Sequence, residues 1–168
     1  IVGAAVAYHL AQRGSRVTVL EQDSIGSGAS AHATGSLSIL GAEFTEGPSF
    51  DLAVAAYDDF IDLVPRLEQE TGANLLYQRR PSVRLALDEG EEQLVRDAMA
   101  WQQATTSVEW IDAAAVHAIE PRLTAELLGA AYQPESAQLD SYRLNLALAA
   151  GALPLVEKGI SILHQVGP

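Results

Sequence analysis

At 168 residues the chain can form one domain or pieces of two, and hydrophobic residues, 48 % of the total, suffice for a sizeable core. The formal net charge of −12 argues against a nucleic-acid partner, which would require a face rich in Lys and Arg; the excess acid reads as a solvated surface. The chain contains no cysteine, so disulfides, cysteine-based metal sites and a thiol nucleophile are excluded within it. No apolar run reaches the ~20 residues of a membrane span, and no signal-peptide pattern is visible; a cytoplasmic location is expected.

Val2, Val6 and Leu10 recur every four residues and predict a helix over residues 1–13, stopped by Gly14. Residues 16–20 form a short β-branched run that reads as a buried parallel strand, closed by Glu21. Helix, turn, buried strand and acid in this order make the second half of a strand–helix–strand phosphate-binding unit. The preceding strand and first two glycines of a G-x-G-x-x-G turn are expected upstream of Ile1, which makes the chain a fragment of a longer protein. Gly3 takes the third glycine position, where close packing of helix on strand calls for a hydrogen as side chain. Glu21 follows near the ~20-residue spacing at which an acid reaches the ribose hydroxyls of a nucleotide. Its plainer reading is a solvated strand-end glutamate.

Residues 26–47 carry five glycines among small polar residues, and the Leu37, Ile39, Leu40 and Phe44 between them favour an ordered loop over a linker. Small residues allow backbone to approach a ligand, and successive N–H groups there can form an anion-binding nest. Pro48 then opens an amphipathic helix with Phe50, Val54, Tyr57, Ile61 and Val64 at helical spacing. A kink is expected at Pro65 and an end at Gly72. Over residues 75–87 the period falls to two, the pattern of a half-buried strand in an antiparallel sheet. Asp88 and Glu91 form a capping-box pattern before a helix bearing Leu94, Val95, Ala98 and Met99.

A strand over 108–111, a helix capped by Asp112 and ended by Pro121, and a strand over 127–132 come next. Asp140 caps a helix with Leu144, Leu148 and Gly151 on one face, and residues 160–163 read as a strand. The expected fold is α/β: a Rossmann-like nucleotide domain interrupted by a mixed or antiparallel-sheet substrate domain, incomplete at both ends. Residues 1–72 and 137–168 belong to the first domain and 73–136 to the second. His9, His117 and His164 show no metal-ligand spacing. Tyr77, Arg79, Arg80 and Arg84 read as solvated positions, although an arginine there could meet a substrate carboxylate. Trp101 and Trp110 read as packing residues.

Three segments in order carry a family resemblance. Glu21, Gly26 to Ser30 and Ala33-Thr34-Gly35 match a strand-end glutamate followed by a glycine- and serine-bearing loop. Residues 112–123 match a helix ending in a Glu-Pro pair, here Glu120-Pro121. Residues 135–144 match a Gln-x-Asp-Pro-x-x-Leu return, with Ser141 where proline is frequent. In this set the chain resembles the FAD-dependent oxidoreductase family of D-amino-acid oxidase, glycine oxidase and sarcosine oxidase.

The resemblance implies FAD as cofactor, held by Gly3, Glu21, Gly28, Ala29, Ser30, His32, Thr34 and Gly35, with the Val166 backbone reading adenine. It implies oxidation of a small-molecule amine or amino acid by hydride transfer to flavin N5. It also implies that the family's substrate-binding arginine and active-site tyrosine lie beyond Pro168, so that no catalytic residue falls in the chain and the 168 residues alone are inactive. His32-Ala33-Thr34-Gly35 is similar to the His-Ala-Ala-Gly that binds flavin covalently in dimethylglycine and sarcosine dehydrogenases; for His32 a loop position with noncovalent contact or none is expected. Two rivals stay open. One is an NAD-dependent Rossmann dehydrogenase, against which stands the long small-residue loop after Glu21. The other is an adapter or pseudo-enzyme fragment without nucleotide.

Overall fold

A computed structural model describes residues 1–40, 45–153 and 161–164, the last four by their backbone. Its elements are helical and extended in alternation, an α/β chain, and they divide into two compact units: residues 1–36, 60–77 and 138–168, and residues 37–59 and 78–137. Segment 37–59, grouped with residues 1–72 in the sequence reading, clusters with the second unit.

In the first unit, α1 (Val2–Gln12) ends where Gly14 takes φ +79° and donates to the Ala11 carbonyl at 2.8 Å. The apolar stripe that predicts this helix is not the face it buries. Val2 is 75 % and Val6 52 % exposed, whereas Ala7, Tyr8 and Ala11 are buried. Tyr8 is the peg: its hydroxyl donates to Glu70 Oε2 at 2.8 Å, and the Arg66 guanidinium lies 5.8 Å from its ring centre. Burial and the bond to Glu70 push the Tyr8 phenol above its ordinary pKa. A Cβ at Gly151 would come within 2.9 Å of that ring, so α5 (Ser141–Ala152) reaches α1 through a glycine.

Strand β1 (Thr18–Glu21) runs parallel to β8 (Ser161–His164), with Glu21 opposite His164. The expected burial of this strand is not found: Leu20 is 73 % exposed. A parallel strand becomes a buried apolar run when it has neighbours on both edges and cover on both faces. Among the described residues β1 pairs with β8 alone. α5 opens at Asp140, whose carboxylate accepts from Arg143 N at 2.9 Å as the sequence pattern predicts.

In the second unit the antiparallel order is β4 (Ser82–Ala86), β6 (Gly129–Gln133) and β5 (Glu109–Asp112), with β6 central. Its helices are α3 (Glu89–Gln102) and α4 (Ala113–Ile119). Asp88 accepts from Glu91 N and Glu91 Oε2 accepts from Leu87 N, both at 2.8 Å, which closes a capping box shifted by one residue. Asp112 accepts from Ala115 N at 2.8 Å. Val95, Met99, Val108 and Ala131 form one buried cluster, and Val116, Leu127 and Ala130 another. The middle strand is built of small residues, because a Cβ at Gly129 would overlap the Trp110 ring and the Ile111 carbonyl. Trp110 in turn lies under the Arg96 guanidinium at 4.0 Å, and Trp101 meets Phe50 edge-on at 4.6 Å.

Helix α2 (Pro48–Thr71) is continuous through Pro65 and contributes residues to both units; Gly72, φ +70°, ends it. The two-residue strands β2 (Ser36–Leu37), β3 (Gln78–Arg79) and β7 (Ala137–Gln138) lie where the chain passes from one unit to the other.

Candidate cofactor site

The first unit holds a cavity of about 390 Å³. One wall is the first turn of α1, at Ile1, Gly3 and Ala4. A second is the end of β1 at Val19, Leu20 and Glu21. The loop from Ile25 to Ser30 and the α5 residues Asn145, Ala149 and Ala152 complete it. Alanines and glycines supply much of this lining, so space is left where larger side chains would fill it.

The chemistry of the walls is polar at two ends. The first N–H groups of a helix have no intrahelical acceptor and carry the positive end of its dipole, which suits an anion. Ile1 has no side-chain cap on α1. Across the cavity, Glu21 Oε1 accepts from the Asp23 N–H at 3.0 Å, which orients the carboxylate at the strand end. Among the described residues, Glu21 is the one charged side chain of the lining. Gly26 takes φ +82°, and a Cβ there would meet Tyr142 at 2.9 Å and Asn145 Nδ2 at 3.1 Å, so only glycine lets the loop lie so close to α5.

The loop beyond the cavity is pinned to the segment that opens α5. Ser141 Oγ contacts the carbonyls of Ser30 and Ala33 at 2.7 and 3.0 Å, Gln138 Nε2 donates to Thr34 O at 3.0 Å, and Leu139 N donates to Gly35 O at 3.0 Å. Gly35, φ +71°, has no room for a side chain, since a Cβ would overlap the Leu139 carbonyl. Thus two motif segments found separately in the sequence touch in the fold. Serine at 141, where the resemblance led to an expectation of proline, supplies a donor that proline has not.

Four of the predicted cofactor residues, Gly3, Glu21, Gly28 and Ser30, line the cavity together. Ala29, His32, Thr34 and Gly35 do not. Ala29 opens a 3-10 turn that His32 ends, and His32 is exposed. Thr34 and Gly35 serve the anchoring just described. Val166 lies outside the described residues. A Cβ at Gly3 meets nothing within 4 Å among the described residues, and the position borders the cavity. Sequence reasoning missed Asn145 and took Gly26 only as part of the loop motif. Asn145 carries a legible signal, an amide within the apolar run of residues 144–152.

The family model described as "FAD dependent oxidoreductase" (DAO) matches residues 1–165. The chain belongs to that family. FAD is the family's cofactor. The chain is 33 % identical over 154 residues to glycine oxidase of Geobacillus kaustophilus, covering 90 % of this chain and 41 % of that protein. It is 33 % identical over 158 residues to mitochondrial dimethylglycine dehydrogenase of Mus musculus, covering 90 % of this chain and 17 % of the other. The crystal structure of the Geobacillus kaustophilus glycine oxidase superposes with a TM-score of 0.85 at 30 % identity, over 97 % of this chain and 44 % of that one. The chain therefore spans less than half of the length of these family members.

Proposed function

We propose that the protein carrying this chain oxidises a small amine or amino acid, and that this chain supplies the adenosine diphosphate side of its FAD site. One observation carries the reading: the N-terminus of α1 and the strand-end carboxylate of Glu21 face one cavity lined by glycine, alanine and serine. Those groups fit the ligand. Helix N–H groups suit the diphosphate, and a carboxylate accepts hydrogen bonds from ribose 2′- and 3′-hydroxyls while repelling a 2′-phosphate. Gly28, Ala29 and Ser30 bring backbone N–H groups alongside, and His32, Thr34 and Gly35 carry the loop on toward the flavin. Bound FAD supplies the hydride acceptor.

In this reading the unit that holds the cavity belongs to a cofactor domain, interrupted by a substrate domain built on the β4–β6–β5 sheet. The catalytic groups come from outside the chain, His32 makes no covalent bond to flavin, and Val166 reads adenine. In this reading the protein acts in the cytoplasm. The relatives named glycine oxidase and dimethylglycine dehydrogenase make glycine and N,N-dimethylglycine the first donors to assay.

The test is flavin fluorescence titration of the full-length apoprotein. Glu21→Ala is expected to weaken FAD binding by about 1–3 kcal/mol, the scale of hydrogen bonds lost to a charged group. Unchanged affinity overturns the assignment of Glu21, and no flavin binding by the wild type overturns the site.

A further inference from the structure

We infer that the Asn145 side chain is a direct ligand of the cofactor, donating a hydrogen bond to a diphosphate oxygen inside the Glu21 cavity. The inference rests on the reading of that cavity as the FAD site.

Asn145 is the one amide on α5, and it borders the cavity. Its neighbours on α5 are Leu144, Leu146, Ala147, Leu148 and Ala149, and Asn145 itself is only 3 % exposed. A buried carboxamide is stabilised when both its ends are hydrogen-bonded and is costly when they are not. This one lines the cavity and has no side-chain hydrogen-bond partner among the described residues. For packing alone an alanine or leucine would serve α5 better. The approach is also kept clear. With φ +82° and no side chain, Gly26 lets the loop backbone pass Asn145, whose Nδ2 lies 3.1 Å from the place a Cβ would take.

Charge decides which end of the amide matters. A diphosphate brings two negative charges, yet among the described residues the cavity lining contains no lysine or arginine, and its one charged side chain, Glu21, is negative. The donors that the described residues offer to the phosphate oxygens are therefore neutral. The first turn of α1 offers backbone N–H groups from one wall, and Asn145 offers an amide N–H from another. The ribose hydroxyls already have their acceptor in Glu21. Asn145 thus completes a cradle of uncharged donors that neither repels the phosphates nor brings a mobile lysine into a small cavity.

The experiment uses full-length apoprotein of the wild type, Asn145→Ala and Asn145→Asp. Affinity for FAD is read by flavin fluorescence, affinity for ADP and adenosine by competition, and the Tm of each apoprotein controls for folding. Asn145→Ala is expected to raise the Kd for FAD and ADP ~10-fold, the scale of one hydrogen bond to a charged partner, and to leave adenosine unaffected. Asn145→Asp should weaken FAD further, because it sets a carboxylate against the diphosphate, with an apoprotein Tm no lower than that of Asn145→Ala. Should the aspartate variant not fold, Asn145→Ser keeps a donor of smaller reach and must fall between wild type and alanine. A wild type that binds no FAD removes the site and the inference together. A wild type that binds FAD, with alanine and aspartate variants equal to it or with adenosine weakened as much as ADP, overturns the role of Asn145 and leaves the cavity reading standing.

Discussion

The antiparallel sheet of the second unit and the parallel pair of the first are built to opposite ends. Around β6 the interior is filled. Gly129, Ala130 and Ala131 are small because Trp110, Val116, Leu127 and Met99 occupy the space their side chains would take. Around β1 small residues leave space: Gly3 and Gly28 have nothing within 4 Å of a Cβ, and Ala4, Ala7, Ala149 and Ala152 border a cavity of about 390 Å³. The same residue types therefore mean different things. In the sheet they are the complement of bulky neighbours, and at the cavity they leave the space open.

Substitutions that add one methyl separate the two uses. The largest effect is expected from Gly129→Ala, whose Cβ overlaps Trp110 and the Ile111 carbonyl. Overpacking of this kind should cost about 2–3 kcal/mol in urea unfolding, with FAD affinity of the folded protein unchanged. An unaltered unfolding midpoint would show that the sheet is not filled.

A middle effect belongs to Tyr8, the polar peg of the other unit. Tyr8→Phe removes the bond to Glu70 and should cost about 1 kcal/mol at neutral pH. The raised phenol pKa adds a pH signature. The folded state holds the proton more tightly than the unfolded chain, so this contribution is complete below the unfolded tyrosine value of about 10 and is lost as pH rises through the higher folded value. Wild type should therefore lose its advantage over Tyr8→Phe above about pH 10 in paired denaturation curves. A constant difference through that range would break the assignment.

The smallest effect, with the opposite sign, is that of Gly3→Ala. Its methyl meets no atom, and alanine is the better helix former, so stability should rise by up to ~0.5 kcal/mol while FAD affinity falls because the methyl enters the cavity. A loss of stability would show that Gly3 is closely packed in the full-length protein.

Much of the architecture is local and could be read from the chain. Asp88, Asp112 and Asp140 each cap the helix they were expected to cap, because an N-cap needs only a side-chain oxygen and the N–H two or three residues on. Gly14 and Gly72 stop helices through their own left-handed backbone. Residues 82–86 form a strand as their pattern predicts, although their burial does not alternate, and Glu21 is found at the end of β1 beside the cavity.

Tertiary structure alone decided the rest. Val2, Val6 and Leu10 announce a helix, but burial depends on which neighbours arrive, and Tyr8 with its partner Glu70 won that face. Ser141 is only a departure from proline in the sequence, whereas in the fold its hydroxyl sits within hydrogen-bond distance of the Ser30 and Ala33 carbonyls. Gly35 needs to be glycine because of Leu139, far along the chain. Asn145 gains meaning only when α5 is laid beside Gly26 and the cavity. Periodicity and caps are set by bonds within a few residues, whereas the shape of a cavity is set by elements distant in sequence, and no short-range pattern encodes which of them will meet.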